Sequence, residues 1–127
     1  NRMDLVLAQT NPEEIQTVFD NVGRSLHRIP SSNKVSFVQT NQGKSTVYAL
    51  DPSNGTIETL AALNFSITDM YWFSNTSFLY SVGEVIMEFD LTIADHKVFY
   101  QNKATAVTTI TRILVSPDKT KLIFVGE

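Results

Sequence analysis

Short apolar runs recur along the chain, each cut off by a polar cluster, and the runs themselves repeat. Pro30-Ser31-Ser32-Asn33-Lys34-Val35-Ser36-Phe37-Val38 is echoed by Pro117-Asp118-Lys119-Thr120-Lys121-Leu122-Ile123-Phe124-Val125, with Pro, Lys, Phe and Val in register. The offset is 117 − 30 = 87, close to twice a period in the low forties. A third, weaker copy without the proline lies between them at Trp72-Phe73-Ser74-Asn75-Thr76-Ser77-Phe78-Leu79-Tyr80. A second element also occurs three times: Leu5 to Thr10, Val47 to Pro52 and Ile86 to Leu91, offset by 42 and 39 residues. Each copy is followed by a polar turn and a further apolar segment, Ile15 to Phe19, Ile57 to Leu60 and Lys97 to Tyr100.

The repeating unit is therefore four short segments over about 42 residues. The segments are rich in β-branched and aromatic residues and bounded by Gly, Pro, Asn, Asp or Ser, which predicts strands. Asn54-Gly55 predicts a hairpin turn because both residues tolerate positive φ. Pro117-Asp118 predicts another turn. Four antiparallel strands at this period predict an all-β fold of β-propeller blades. One local signal competes. Asn11-Pro12-Glu13-Glu14 has a capping Asn, a first-turn Pro and acids, and Ile15, Val18, Phe19 and Val22 follow helical spacing. Taken alone this predicts a helix over 12–20. The repeat instead aligns Ile15 to Phe19 with the strand at Ile57 to Ala61, and the repeat is preferred.

The phase of the chain within the repeat predicts one propeller segment, 1–127. It comprises an outer half blade (1–21), two blades (22–63 and 64–104) and an inner half blade (105–127). The expected strands of the first half blade are 4–10 and 14–20, and those of the last are 107–116 and 120–126. The two halves sum to one blade, so about three blades are expected, a partial or half propeller. Three blades are too few to close a ring. Either the chain is a piece of a longer propeller, or two copies associate and each half blade completes the other.

The stretches Val22 to Thr40 and Ile110 to Glu127 resemble the TolB-like (WD-repeat-like) β-propeller repeats of bacteria. Ser116-Pro117-Asp118 followed by Lys121-Leu122-Ile123-Phe124-Val125 is similar to that family's Ser-Pro-Asp-Gly-Lys hallmark and apolar strand. Lys119 stands where Gly is common and Thr120 where a small or basic residue is frequent. The first blade keeps Pro30 and Lys34 without the Asp, and the middle blade keeps neither. The resemblance implies a propeller in the periplasm or cell envelope. It also implies roles such as docking platform, partner of peptidoglycan-associated lipoproteins, or accessory domain of a peptidase.

Composition narrows the chemistry. Of 127 residues 43% are hydrophobic and 18% charged, an ordinary globular balance. Ten Lys and Arg against 13 Asp and Glu give −3, so no dense basic stripe exists for nucleic acid. No apolar run approaches the roughly 20 residues that span a bilayer as a helix. The absence of cysteine excludes disulfides, thiolate metal sites and Cys nucleophiles. His27 and His96 fall on strands of different blades, so no metal or other cofactor is expected. Asp51, Asp90 and Asp95 flank hairpin turns, where Asp bonds the local backbone. Gly23-Arg24-Ser25-Leu26-His27 lacks the second glycine of a nucleophile elbow, and no catalytic residue is assigned.

The densest polar cluster is Arg24, His27 and Arg28 on or before an inner strand. Arg112 begins another inner strand and Asp69 precedes a third. Together these five form the candidate ligand site, with the arginines suited to a carboxylate or phosphate. The competing reading is that they pair with Asp69, Asp20 or backbone carbonyls between blades. Tyr71-Trp72-Phe73 is either a stacking platform or packing between blades, and packing is preferred. The expected function is a non-catalytic module binding a protein or peptide through the loops near 20–26, 61–67 and 101–110. The alternatives are the propeller domain of a hydrolase, peptidase-accessory or lactonase-like, and a half-ring closing as a homo-oligomer.

Overall fold

The computed structural model describes residues 3–8, 15–20, 22–23, 25–101, 103 and 107–127, with the backbone alone at 15–18. Every regular element among the described residues is a β-strand. The strands fall into two compact units, Asn1–Asn64 and Phe65–Glu127.

The first unit opens with an antiparallel pair, β1 (Leu5–Ala8) and β2 (Ile15–Phe19). The Ile15 to Phe19 segment is thus extended, as the repeat required and against its helical spacing. Its β-branched Ile15, Thr17 and Val18 suit a pleated strand, and pairing with β1 satisfies backbone groups that a lone β1 would leave bare. Residues 11–14, where the helix start was expected, lie outside the described residues. A four-stranded meander follows in the order β3 (Leu26–Arg28), β4 (Val35–Asn41), β5 (Lys44–Asp51) and β6 (Thr56–Ala62). Phe37 is its anchor, 1% exposed. Phe19 meets the Phe37 ring edge-on at 5.2 Å, and Tyr48 stacks on it at 5.3 Å. Leu5, Val22 and Leu50 complete this core, so the two-stranded sheet packs on the four-stranded one. The Val22 N–H donates to the Met3 carbonyl at 2.7 Å and ties the connection down.

The second unit has the same parts in the reverse order. Its four-stranded sheet comprises β7 (Met70–Trp72), β8 (Ser77–Val82), β9 (Val85–Asp90) and β10 (Asp95–Gln101), again a meander. The pair β11 (Ile110–Val115) and β12 (Leu122–Gly126) packs against it. Leu79 and Ile86 of the larger sheet bury Ile110, Ile113 and Val115, flanked by Leu122 and Phe124. Strict alternation decides which side chains do this. Ile113 and Val115 point into the core, while Leu114 between them is 49% exposed.

The turns follow two devices. Tight hairpins use positive φ: Gln42 and Gly43 between β4 and β5, and Gly83 between β8 and β9. The Asn54-Gly55 turn forms where expected but by another route. Only Gly55 takes positive φ (73°), and the loop spans four residues between the paired Asp51 and Thr56. The Asn54 side-chain oxygen instead accepts the Thr56 N–H at 3.0 Å and hydroxyl at 2.8 Å. Lys119 has φ 62°, which gives a physical reason why glycine suits that place in Ser-Pro-Asp-Gly turns.

Phe37→Ala is expected to remove about 3–5 kcal/mol, the transfer and cavity cost of a buried aromatic. Leu114→Ala, on the exposed face of β11, should cost under about 1 kcal/mol. Urea unfolding of both variants checks the contrast.

Candidate functional site

Asp69 precedes β7 and is buried at 5% exposure. Its Oδ2 accepts the Ile113 N–H at 2.8 Å, and its own N–H donates to Ser81 Oγ at 3.2 Å. The Asp69 carbonyl accepts the Ser81 N–H at 3.0 Å. One side chain thereby clasps β11 to the four-stranded sheet and supplies a partner for a buried amide. Arg112 immediately precedes Ile113 on β11. It is exposed, and its Nη1 donates to the Thr111 carbonyl at 3.4 Å. The structure thus brings Asp69 to the Arg112-Ile113 segment through the backbone.

His27 and Arg28 are neighbours on β3, in the other unit. His27 is half-buried, and its carbonyl accepts the Ser36 hydroxyl at 3.4 Å. Arg28 is exposed and stands opposite Val35 in the ladder. Arg24 lies outside the described residues, as do parts of the 20–26 and 101–110 loops. Asp20 contributes its carbonyl, which accepts Gln39 Nε2 at 3.0 Å.

The aromatic run is a packing element. Trp72 is 6% exposed and meets the Phe78 ring edge-on at 5.4 Å. Tyr71 and Phe73 pack against the Leu79 and Ile113 cluster. Beside them opens a cavity of about 470 Å³ between Tyr71, Trp72 and Phe73 on one side and Leu114, Pro117 and Ile123 on the other. Lys119 sits at its margin with Nζ 5.2 Å from the centre of the Phe73 ring. Reading the sequence found both walls of this groove, the aromatic run and the Ser-Pro-Asp turn. It did not join them, because they are 44 residues apart (117 − 73) and only the packing of β11 on β8 brings them together.

The turn aspartates bond the backbone as their positions suggested. Asp51 Oδ1 accepts the Ser53 N–H at 3.0 Å and hydroxyl at 2.6 Å. Asp90 does the same with Thr92 at 2.9 and 2.6 Å, and Asp118 with Thr120 at 3.0 and 2.7 Å. The hydroxyl bond first, and then the N–H bond, holds each carboxyl below the ordinary Asp value of 3.8. Asp95 Oδ1 accepts the N–H of His96 at 2.8 Å. His96 Nδ1 lies 3.0 Å from the Tyr80 hydroxyl, and burial pushes that phenol up to about 12. Among the described residues no three of His, Asp and Glu gather as a metal-ligand set.

Asp69→Ala leaves the Ile113 N–H without its acceptor and should cost about 1–3 kcal/mol, read from chemical unfolding. The turn aspartates predict acid sensitivity. Their folded values lie below the unfolded one, so their contribution is present above about pH 4 and is lost as pH falls through the depressed values. Replacing all three (Asp51→Asn, Asp90→Asn, Asp118→Asn) should flatten the fall in Tm between about pH 5 and about pH 2. An unchanged slope in thermal melts would refute it.

No protein-family model matches the chain, and no curated protein matches it. Among solved structures it is similar to the crystal structure of the tricorn protease, a β-propeller-containing protease, with a TM-score of 0.62 and 16% identity. The match covers 87% of this chain and 11% of that one, so the chain spans about a tenth of that protein's length. The likeness is one of fold: this is an all-β chain of partial β-propeller blades.

Proposed function

We propose that the chain is a segment of a TolB-like β-propeller that acts as a non-catalytic scaffold binding a protein or peptide. In this reading 22–63 and 64–104 are blades, 1–21 is an outer half blade and 105–127 an inner one. The observation that carries it is the exposure of Arg28 and Arg112 on β3 and β11, each the first strand of its sheet. First strands border the axis of a propeller, where side chains from successive blades converge. A guanidinium on either strand suits a carboxylate of an acidic peptide, with two bonds to each. Arg24 and His27 add basic residues close to Arg28 in the sequence, while Asp69 fixes the strand that carries Arg112. The resemblance of the Ser116-Pro117-Asp118 turn supports the family and with it the cell envelope.

A second reading, favoured by the likeness to the tricorn protease, is a propeller segment accessory to a peptidase. It would use the same surface to receive peptides on their way to a catalytic domain elsewhere.

The test is titration with a set of Asp- and Glu-rich peptides. Replacing both arginines by lysine keeps the charge and the aliphatic stem but removes the planar fork. Arg28→Lys with Arg112→Lys should weaken peptide binding by about tenfold, a loss of about 1.4 kcal/mol. Equal affinity for the variant, or no binding by the wild type, refutes the reading. Peptide cleavage by a longer form of the chain would favour the second one.

A further inference from the structure

Strands β1, β5 and β9 carry the segment that recurs at offsets of 42 and 39 residues, and each pairs with the strand that follows it. In each pair the register breaks once, and one residue of the following strand is passed over: Val18 in β2, Leu60 in β6 and Phe99 in β10. The breaks fall between Leu5 and Val6, between Val47 and Tyr48, and between Ile86 and Met87. These are one and the same place in the repeat, since 60 − 18 = 42 and 99 − 60 = 39. An extra residue of this kind is a β-bulge. The neighbouring pairs β4–β5 and β8–β9 run unbroken. Among the described residues one other break occurs, at Thr111 in β11–β12, and it has no counterpart in β3–β4 or β7–β8.

The place matters because β6 and β10 are end strands of their four-stranded sheets. A straight end strand presents outward N–H and C=O groups at a regular two-residue spacing, which is the template an incoming strand needs. A bulge puts the groups on its two sides out of step and sharpens the local twist. It cuts the seven residues of β10 into 95–98 and 100–101, and the seven of β6 into 56–59 and 61–62. The charged residues lie in the longer piece, Asp95 and Lys97 in β10 and Glu58 in β6. The bulge falls where charge runs out, within Val98-Phe99-Tyr100 and at the start of Leu60-Ala61-Ala62. Val98, Phe99 and Tyr100 are 58%, 38% and 37% exposed, an uncharged run of high strand propensity.

We propose that the recurring bulge is an edge guard: it stops the outermost strand of a sheet from adding to the outermost strand of a second copy of the chain. It does for the uncharged end of the strand what Asp95, Lys97 and Glu58 do for the other end. Packing of the Phe99 ring on Phe73, 5.3 Å between centroids, does not account for it, since Val18 and Leu60 hold the same place without a ring. The inference rests on the strand ladders and makes no use of peptide binding.

Deleting Phe99 leaves every pair of the β9–β10 ladder available, with Val98 opposite Met87 followed directly by Tyr100 opposite Ile86. The edge then runs straight. Deleting Leu60 does the same for β6 in the other unit. Each shortened chain should keep its strand signal in circular dichroism and reach at least twice the wild-type mass in light scattering at the same concentration. Phe99→Ala and Leu60→Ala retain the extra residue and should match the wild type. Val98→Lys added to the Phe99 deletion should return the wild-type mass by putting a charge on the straightened edge. Shortened chains of wild-type mass overturn the proposal. So does equal association of the alanine variants, or association that Val98→Lys leaves unchanged. Loss of strand signal in both deletions overturns it as well, because the bulge would then serve the sheet itself and not its edge.

Discussion

The structure depends on face-to-face packing of sheets that are each too small to stand alone. A two-stranded hairpin is marginal in water, and a four-stranded meander still has two faces to cover. Burial of Leu5 and Phe19 on Phe37 and Tyr48, and of Ile113 and Phe124 on Leu79 and Ile86, solves both problems at once. The rest follows from this requirement. Strands are short because only a few residues need to reach across. Burial alternates at the end of β11, where Ile113 and Val115 are buried and Leu114 between them is exposed, while β8, between two neighbours in its sheet, is buried on both faces. The polar clasp from Asp69 to the Ile113 amide sits where β11 must be held at a fixed height for its side chains to enter that core.

How far this could be read from the sequence depended on what repeated. The strand segments were legible because Lys34, Phe37 and Val38 recur as Lys121, Phe124 and Val125 at a spacing no helix explains. The same register decided the Ile15 to Phe19 segment, where local spacing pointed to a helix and pairing with β1 prevailed. The turn at Gln42-Gly43 is hidden in the sequence, since a Gln at positive φ carries no composition signal. Asn54-Gly55 signals a turn, yet its geometry comes from the Asn54 side chain bonding Thr56, which a dipeptide cannot reveal.

The candidate site was less legible than the fold. Asp69 could be picked out as an odd carboxylate beside an apolar strand, but its partner is a backbone N–H 44 residues away (113 − 69). Main-chain donors leave no trace in residue identity. The aromatic run at Tyr71 to Phe73 was readable as packing, while the groove beside it needed the Ser116-Pro117 corner to be brought close in space. The turn aspartates were the opposite case. Their bonds are local, reaching only two residues onward, and local chemistry is what a sequence displays best.

One buried phenol has a consequence at the alkaline end. Tyr80 keeps its proton to about 12 in the fold, against an ordinary value of 10.0 once the chain opens. Up to about pH 10 the folded and open chains hold that proton equally, and beyond it only the open chain releases one to solvent. Strong base therefore pulls on this protein through its own core, and the ring that Phe65, Phe78 and His96 surround becomes the place where hydroxide competes with packing.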